Sequence, residues 1–231
     1  MKLCIDGREI VAQPGQTLLE LVCQLGLLTD SLTTRPLAAK IAGEVFTLNY
    51  MPVREQDASA DRASIRRAME ASGGEIQLLR YCDNSGKDAY RRTAQFVIFL
   101  ALRQLWPGSV GKMNCTVGSG LYISVSGAED YSAEKVKQRI AELIAQDIPL
   151  LRRRVSTEDA VSYYRADGQN DKAELLRWRA AEYFDEYAYG DYADYFYGEM
   201  MPPPVICRCG MFCRRPGVLC SFTPMTGNRT G

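Results

Sequence analysis

The sequence predicts a mixed α+β chain made of two successive domains. Short segments near the N-terminus alternate between apolar and polar residues, which is typical of strands, and an apolar run with helical spacing follows them. A loop rich in polar residues at 83–87 separates this region from a long amphipathic helix. At 231 residues, the chain is long enough for one large core or two small ones.

The first predicted domain covers residues 1–82. Its elements are a hairpin at 3–10, a helix at 18–25, a hairpin at 37–45 and a strand at 76–79. Asp6-Gly7 supplies the turn of the first hairpin, and Thr17 and Gly26 are suited to begin and end the helix. This ββαββ order predicts a ubiquitin-like β-grasp, with a charged, solvated helix inserted at about 58–74.

The second predicted domain covers residues 88–224 and begins with a helix at about 89–105, which Pro107-Gly108 ends. Its later elements are a strand at 121–125, a helix at 132–146, a helix capped by Ser156, a helix at 171–181 and an aromatic, acidic stretch at 183–197. Together they predict a second α+β domain. Residues 225–231 are predicted to form a loose tail.

The composition of the chain limits the classes of function that it can have. Lysine plus arginine and aspartate plus glutamate both number 28, so RNA binding would require a local basic patch. The N-terminus lacks the features of a signal peptide, and the longest apolar stretch, 96–102, is far shorter than a membrane span. We therefore expect a cytoplasmic protein with no membrane partner, whose eight cysteines are reduced thiols.

Several segments resemble known proteins. Residues 15–21 and 37–43 resemble the TGS domain at the N-terminus of threonyl-tRNA synthetase, and Leu105-Trp106-Pro107 with residues 118–122 resemble the editing domain of that synthetase. The segment 191–202 is similar to the same region of bacterial uridine-kinase-like nucleoside kinases. Those kinases join a TGS domain, an editing-like domain and a C-terminal kinase domain.

The resemblance implies where an editing-type metal site would lie. Synthetase editing domains place a metal between a His-x-x-x-His on the long helix and a later Cys-x-x-x-His, since residues i and i+4 share a helix face. Here Arg92 and Phe96 occupy the helix positions, and Ala188 and Tyr192 the other two. None of these side chains holds Zn²⁺, so we expect no metal site and no catalytic residue. A degenerate ligand-binding cleft is predicted at Arg92, Phe96, Ala188, Asp191 and Tyr192.

The residues between Asp185 and Asp194 are rich in tyrosines and acids. They either line a ligand pocket that stacks a base, or form an aromatic sheet edge packed on the long helix. Packing is the commoner role of such residues. An internal ion pair or hydrogen bond from Arg92 to Asp191 or Tyr192 would keep the former cleft ordered.

The kinase resemblance predicts a non-catalytic N-terminal region that regulates a uridine kinase or binds RNA or a nucleotide. ATP and Mg²⁺ would then belong to a kinase domain outside this chain. The string nearest to a P-loop, Gly108-Ser109-Val110-Gly111-Lys112-Met113, is too short between its glycines and lacks the Mg²⁺-binding hydroxyl, so it is predicted to be a loop. The alternative is a freestanding aminoacyl-tRNA deacylase or tRNA-binding module related to threonyl-tRNA synthetase. A deacylase would need a water-activating group, and the chain contains no histidine.

Two further clusters leave alternatives open. The late cysteines Cys207, Cys209, Cys213 and Cys220 either form a zinc knuckle or are half-buried strand thiols. The single residue between Cys207 and Cys209 favours strands. Arg152, Arg153 and Arg154 form the strongest basic run, which either contacts an RNA backbone or is a surface turn after a helix.

Overall fold

A computed structural model describes residues 1–53, 60–117, 120–146, 148–202, 209–212 and 218–224. These residues contain both helices and strands throughout, which confirms the predicted α+β class. They form two compact units. The first unit comprises residues 1–93 and 197–202, and the second comprises 94–196 with 209–212 and 218–224.

The first unit is built on one five-stranded sheet. Its elements are β1 (Lys2–Ile5), β2 (Arg8–Val11), α1 (Leu18–Gln24), β3 (Ala38–Ile41), β4 (Glu44–Thr47), α2 (Ala60–Ala71) and β5 (Glu75–Leu79). The strand order is β2-β1-β5-β3-β4. Both hairpins are antiparallel, and β5 lies parallel to β1 in the centre.

Helix α1 begins as predicted. The Thr17 side chain accepts a hydrogen bond from the backbone N–H of Glu20, whose carboxylate accepts one from the Thr17 backbone in return. This capping box satisfies two N–H groups that the helix itself leaves unpaired. Leu18, Leu21 and Val22 lie buried in the core of the first unit.

The inserted helix is less solvated than the sequence predicts. Residues 58 and 59 lie outside the described part of the chain, and α2 occupies Ala60–Ala71. Arg66 pairs with Glu70 across one exposed turn, at 3.1 Å. Met69, however, is fully buried in the core of the first unit. Met69 therefore anchors this helix in the core of the first unit.

The loop expected at 83–87 is instead the start of helix α3 (Asn84–Leu105). The Asp83 carbonyl accepts a hydrogen bond from the Lys87 N–H, which closes the first turn. Gly86 suggested a loop, but a Cβ on it would overlap the Arg80 carbonyl oxygen. The glycine thus permits close approach of the chain rather than breaking the helix. Residues 84–93 of α3 belong to the first unit and 94–105 to the second.

The second unit contains two sheets. Its further elements are β6 (Val110–Val117), β7 (Gly120–Ser126), α4 (Ala133–Ala145), β8 (Leu151–Ser156), α5 (Thr157–Ala166), α6 (Asn170–Arg177), β9 (Tyr183–Tyr189), β10 (Tyr192–Asp194), β11 (Cys209–Phe212) and β12 (Val218–Pro224). The sheet orders are β10-β9-β8 and β11-β12-β7-β6. Ser156 caps α5 through its side chain, as predicted, and Ser132 caps α4 in the same way. A core of Ala160, Tyr164, Ala173, Leu176 and Phe184 joins α5 and α6 to β9.

Two predicted loops of the second unit are strands. The stretch from Gly108 to Met113 enters β6 at Val110, and a Cβ on Gly111 would lie 2.6 Å from a ring carbon of Phe99. That glycine is therefore needed for packing. The arginine run, for which a surface turn was one of two alternatives, lies in β8, which pairs with β9. Its side chains meet carboxylates on that strand. Among the described helices, none is long and apolar enough to cross a membrane.

Candidate functional site

Two buried carboxylates mark the centre of the candidate site. Glu186 lies on β9 and Asp194 at the end of β10, with 2% and 1% of their surface exposed. The two strands are antiparallel, and Asp194 stands opposite Tyr187. Buried acids require hydrogen-bond or charge partners, and here each has them.

Asp194 is held by three donors. The Lys172 ammonium forms an ion pair with Oδ1, and the Tyr195 backbone N–H donates to the same oxygen at 2.7 Å. The Tyr192 hydroxyl donates to Oδ2 at 3.0 Å. The Lys172 side chain remains one-third exposed, so the ion pair connects a buried carboxylate to the surface of the unit.

Glu186 is matched from the neighbouring strand. Arg153 on β8 stands directly opposite it, and the Arg153 Nε donates to Glu186 Oε1 at 2.6 Å. The guanidinium is half exposed whereas the carboxylate is 3% exposed. Arg153 thus supplies positive charge to the buried acid from the solvent side.

Two phenols complete the cluster. Burial raises the pKa of Tyr164, and the nearby Asp194 and Glu186 carboxylates raise it further. Burial also raises the pKa of the Tyr192 hydroxyl well above its ordinary value, and Asp194 adds to this effect. The Lys172 ammonium lies 5.6 Å from the centre of the Tyr164 ring. Both phenols therefore remain protonated near neutral pH, and Tyr192 donates a hydrogen bond rather than acting as a base.

The structure brings together Phe96 and Tyr192 from the predicted cleft. Their ring centroids are 5.2 Å apart, and the Phe196 ring lies 6.3 Å from that of Phe96. Ala188 lies within β9, buried and paired with Ala193 on β10. Neither Phe96 nor Ala188 carries a metal-binding atom, so these positions do not fit the metal ion that the resemblance implies.

Asp191 is exposed at the turn between β9 and β10. Its backbone carbonyl accepts a hydrogen bond from the Tyr163 hydroxyl at 3.1 Å. The same hydroxyl accepts one from the Ala193 N–H at 2.9 Å. Tyr163 on α5 thereby fixes the turn that presents Asp191.

Arg92 belongs to the first unit and is held by main chain. Its Nη1 donates to the Glu199 carbonyl at 2.9 Å. Gly198 has a φ of +95°, and a Cβ on it would come within 3.0 Å of the guanidinium. Glycine is thus required for this contact. A bond from Arg92 to Asp191 or Tyr192 would join the two units, and it stays a prediction.

Arg152 and Arg154 share one carboxylate on the neighbouring strand. Their guanidiniums lie 2.8 Å and 3.1 Å from the oxygens of Asp185. Burial raises the pKa of Asp185, but hydrogen bonds from Arg154 and Arg152 outweigh it and hold that pKa below its ordinary value. The Asp185 carboxylate is therefore shared by two guanidiniums.

Sequence reasoning missed Lys172, Glu186 and Tyr164. The 183–194 stretch mixes acids with tyrosines and a phenylalanine, and this β-favouring aromatic content was a usable signal for strands that carry carboxylates. Lys172 gave no signal, because only the packing of α6 against the sheet brings it to Asp194.

Within the described residues, no group of three or more His, Cys, Asp or Glu side chains is placed to bind a metal ion. Cys209 and Cys220 lie in β11 and β12, which confirms the predicted strands. Cys207 and Cys213 lie outside the described residues. The choice between zinc ligands and thiols for these four cysteines stays a prediction.

Comparison with known proteins relates the chain to threonine–tRNA ligases. It is 23% identical to the Clostridium kluyveri ligase over 201 residues, which are 85% of this chain and 28% of the ligase. It is 26% identical to the Rhodospirillum rubrum ligase over 131 residues, or 55% of this chain and 20% of the ligase. It is 28% identical to the Burkholderia lata ligase over 126 residues, or 52% of this chain and 20% of the ligase.

The chain spans between a fifth and three tenths of the length of these curated relatives. No protein-family model matches it. The relatives support the threonyl-tRNA synthetase part of the predicted resemblance. They lend no support to the nucleoside-kinase part, and so favour the synthetase-related alternative.

Proposed function

We propose that this chain is a tRNA-binding module, related to threonine–tRNA ligases, that holds an aminoacylated tRNA end without hydrolysing it. The observation that carries the proposal is the similarity to those ligases along 85% of the chain. The strand order β2-β1-β5-β3-β4 with one helix after the first hairpin supports a TGS-like β-grasp for the first unit. We assign the editing-like role to the second unit.

Binding without hydrolysis follows from the residues at the former ligand positions. Phe96 and Tyr192 pack against each other there, and the chain has no histidine to activate water. Burial raises the pKa of the Tyr192 hydroxyl. The hydroxyl therefore stays protonated near neutral pH and cannot act as the base that takes a proton from water. The Lys172 ammonium, which pairs with the buried Asp194 carboxylate, is partly exposed and is available to contact a polar ligand.

A regulatory region of a uridine kinase was the first interpretation of the sequence. The comparisons back the synthetase-related alternative better. A kinase partner domain, with its ATP and Mg²⁺, is therefore not part of the proposal. The cytoplasmic location expected from the sequence stays a prediction.

The proposal is tested with labelled threonine tRNA in two assays on the intact chain. Filter binding should give saturable binding of the tRNA, stronger than that of a duplex RNA of equal length. A deacylation assay with mischarged threonine tRNA should show no faster loss of the amino acid than in buffer. Binding together with hydrolysis would support the deacylase alternative, and absence of binding would overturn the proposal.

The arginines of β8 are the candidate phosphate contacts within this proposal. A variant with Arg152→Gln and Arg154→Gln should weaken tRNA binding a few-fold and flatten its dependence on salt. Asp185→Asn is the matched control, because it leaves both guanidiniums in place and removes the carboxylate they share. It should strengthen binding. Unchanged binding in both variants would assign these arginines to sheet pairing alone.

A further inference from the structure

Among the side chains of the second unit that the structure describes, Trp178 is the most exposed large aromatic one. It ends helix α6 and is 88% exposed, which is unusual for a residue that normally gains from burial. Its neighbours in the chain are Arg177 and Arg179. An aromatic face flanked by guanidiniums is typical of surfaces that bind unpaired nucleic-acid bases.

Both neighbours of Trp178 line an open cleft of about 710 Å³. This volume lies within the range of small-ligand sites. Arg165 also lines the cleft, and so does Tyr183, which is 59% exposed. Most of the lining residues are polar. A polar, concave lining suits a nucleotide better than the apolar core of a protein interface.

Each arginine of the cleft is already positioned. Arg165 and Arg177 both contact the Glu174 carboxylate, at 3.3 Å and 3.1 Å. The Arg179 guanidinium lies 5.3 Å from the centre of the Tyr195 ring and donates to its hydroxyl. These contacts fix the guanidiniums at the mouth of the cleft without burying them, since the Arg165 and Arg177 side chains are about half exposed.

The charges of the cleft nearly cancel. Glu158 and Glu182 also line it, and together with Glu174 they offset the three arginines. Attraction of a phosphate backbone by net charge is therefore weak here. Stacking on an aromatic ring does not depend on net charge, so it would supply most of the affinity.

We propose that Trp178 and the adjoining cleft bind a single-stranded RNA segment, with an unpaired base stacked on the indole and the neighbouring nucleotide in the cleft. This inference rests on the proposed function, because it names the part of the second unit that would contact the tRNA. It assigns recognition to stacking, which tolerates any base, and a minor role to phosphate contacts.

The test measures binding of a short fluorescein-labelled single-stranded RNA by anisotropy. Trp178→Ala should weaken binding about tenfold or more, whereas Trp178→Phe should retain most of it. Since Trp178 is almost fully exposed, neither variant should affect folding. Leu175→Ala is the matched control, because Leu175 is 73% exposed and lies one turn earlier on α6, and it should bind RNA normally.

Four outcomes separate the possibilities. Loss of RNA binding in Trp178→Ala alone, with shallow salt dependence, supports the site. Threonine tRNA that binds the chain and Trp178→Ala equally well would overturn this inference and leave the proposed function standing. If the chain self-associates, and Trp178→Ala and Leu175→Ala both abolish this while RNA binding is unchanged, the inference is overturned. The surface around Trp178 would then be a contact between copies of the chain. Absence of any binding of either RNA by the unmodified chain would overturn both.

Discussion

The rings of Phe96 and Tyr192 lie 5.2 Å apart, centre to centre. The Tyr192 hydroxyl points its hydrogen bond to the buried Asp194. Tyr192 therefore packs on helix α3 with its ring and supports a buried carboxylate with its oxygen.

Tyr192→Phe should keep the ring contact and remove one of the three donors to Asp194. We expect the free energy of unfolding to fall by about 1–2 kcal/mol, measured by urea denaturation. Tyr183→Phe is the control, because Tyr183 is 59% exposed and its variant should change stability by less than about 0.5 kcal/mol. Equal effects of the two changes would show that the hydrogen bond to Asp194 is unimportant.

Lys172→Met should leave the Asp194 carboxylate buried without its positive partner. We expect a loss of about 3 kcal/mol in the free energy of unfolding. Adding Asp194→Asn to it should recover part of that loss, since the uncompensated charge is then gone. The surface pair Lys112–Asp171, with side chains 64% and 78% exposed, is the control. Lys112→Met should destabilise the chain far less than Lys172→Met does, and strictly additive effects of Lys172→Met and Asp194→Asn would contradict the coupling.

Gly86→Ala should destabilise the first unit, although alanine usually stabilises a helix by about 1 kcal/mol relative to glycine. The sign reverses here because the added methyl group would overlap the Arg80 carbonyl. Thermal unfolding should show a clearly lower midpoint. At Gly26, with a φ of +64° and open space around it, alanine should cost only about 1 kcal/mol. A midpoint for Gly86→Ala at or above that of the unmodified chain would refute the close approach.

Asp185 should make stability depend on pH in the acid range. Its pKa is lowered on folding, so its contribution is present above the unfolded value of about 3.9 and disappears as pH falls through the folded value. Urea denaturation between pH 6 and about pH 3 should show this loss. In Asp185→Asn the stability should fall less steeply over that interval. An identical slope in the variant would mean that the pairs with Arg152 and Arg154 do not contribute.

Local chemistry made much of the fold predictable. The caps at Thr17 and Ser156 are predicted from a hydroxyl before a helical segment, and the structure contains both of them. The hairpin strands β3 and β4 are predicted from a strand–Gly–strand pattern, and the structure pairs them antiparallel. Such signals depend on residues within one turn of each other, so they can be recognised without knowing the rest of the chain.

The candidate site was predictable only in part. The contact between Phe96 and Tyr192 joins two positions that the resemblance had named. The buried pair of Lys172 and Asp194 was not predicted, because neither residue type indicates burial or a partner. Likewise, three consecutive arginines suggested an exposed turn, and only the opposite strand supplied the acids that place them in a sheet.

The sequence alone determined the α+β class, most of the helix starts and the absence of histidine. The tertiary structure decided the roles of Gly86 and Gly111, which permit close packing where the sequence indicated loops. It also decided which carboxylates are buried and which cations meet them. Helix starts depend on neighbours along the chain, whereas close approach and charge burial depend on segments that are distant in sequence and meet only after folding.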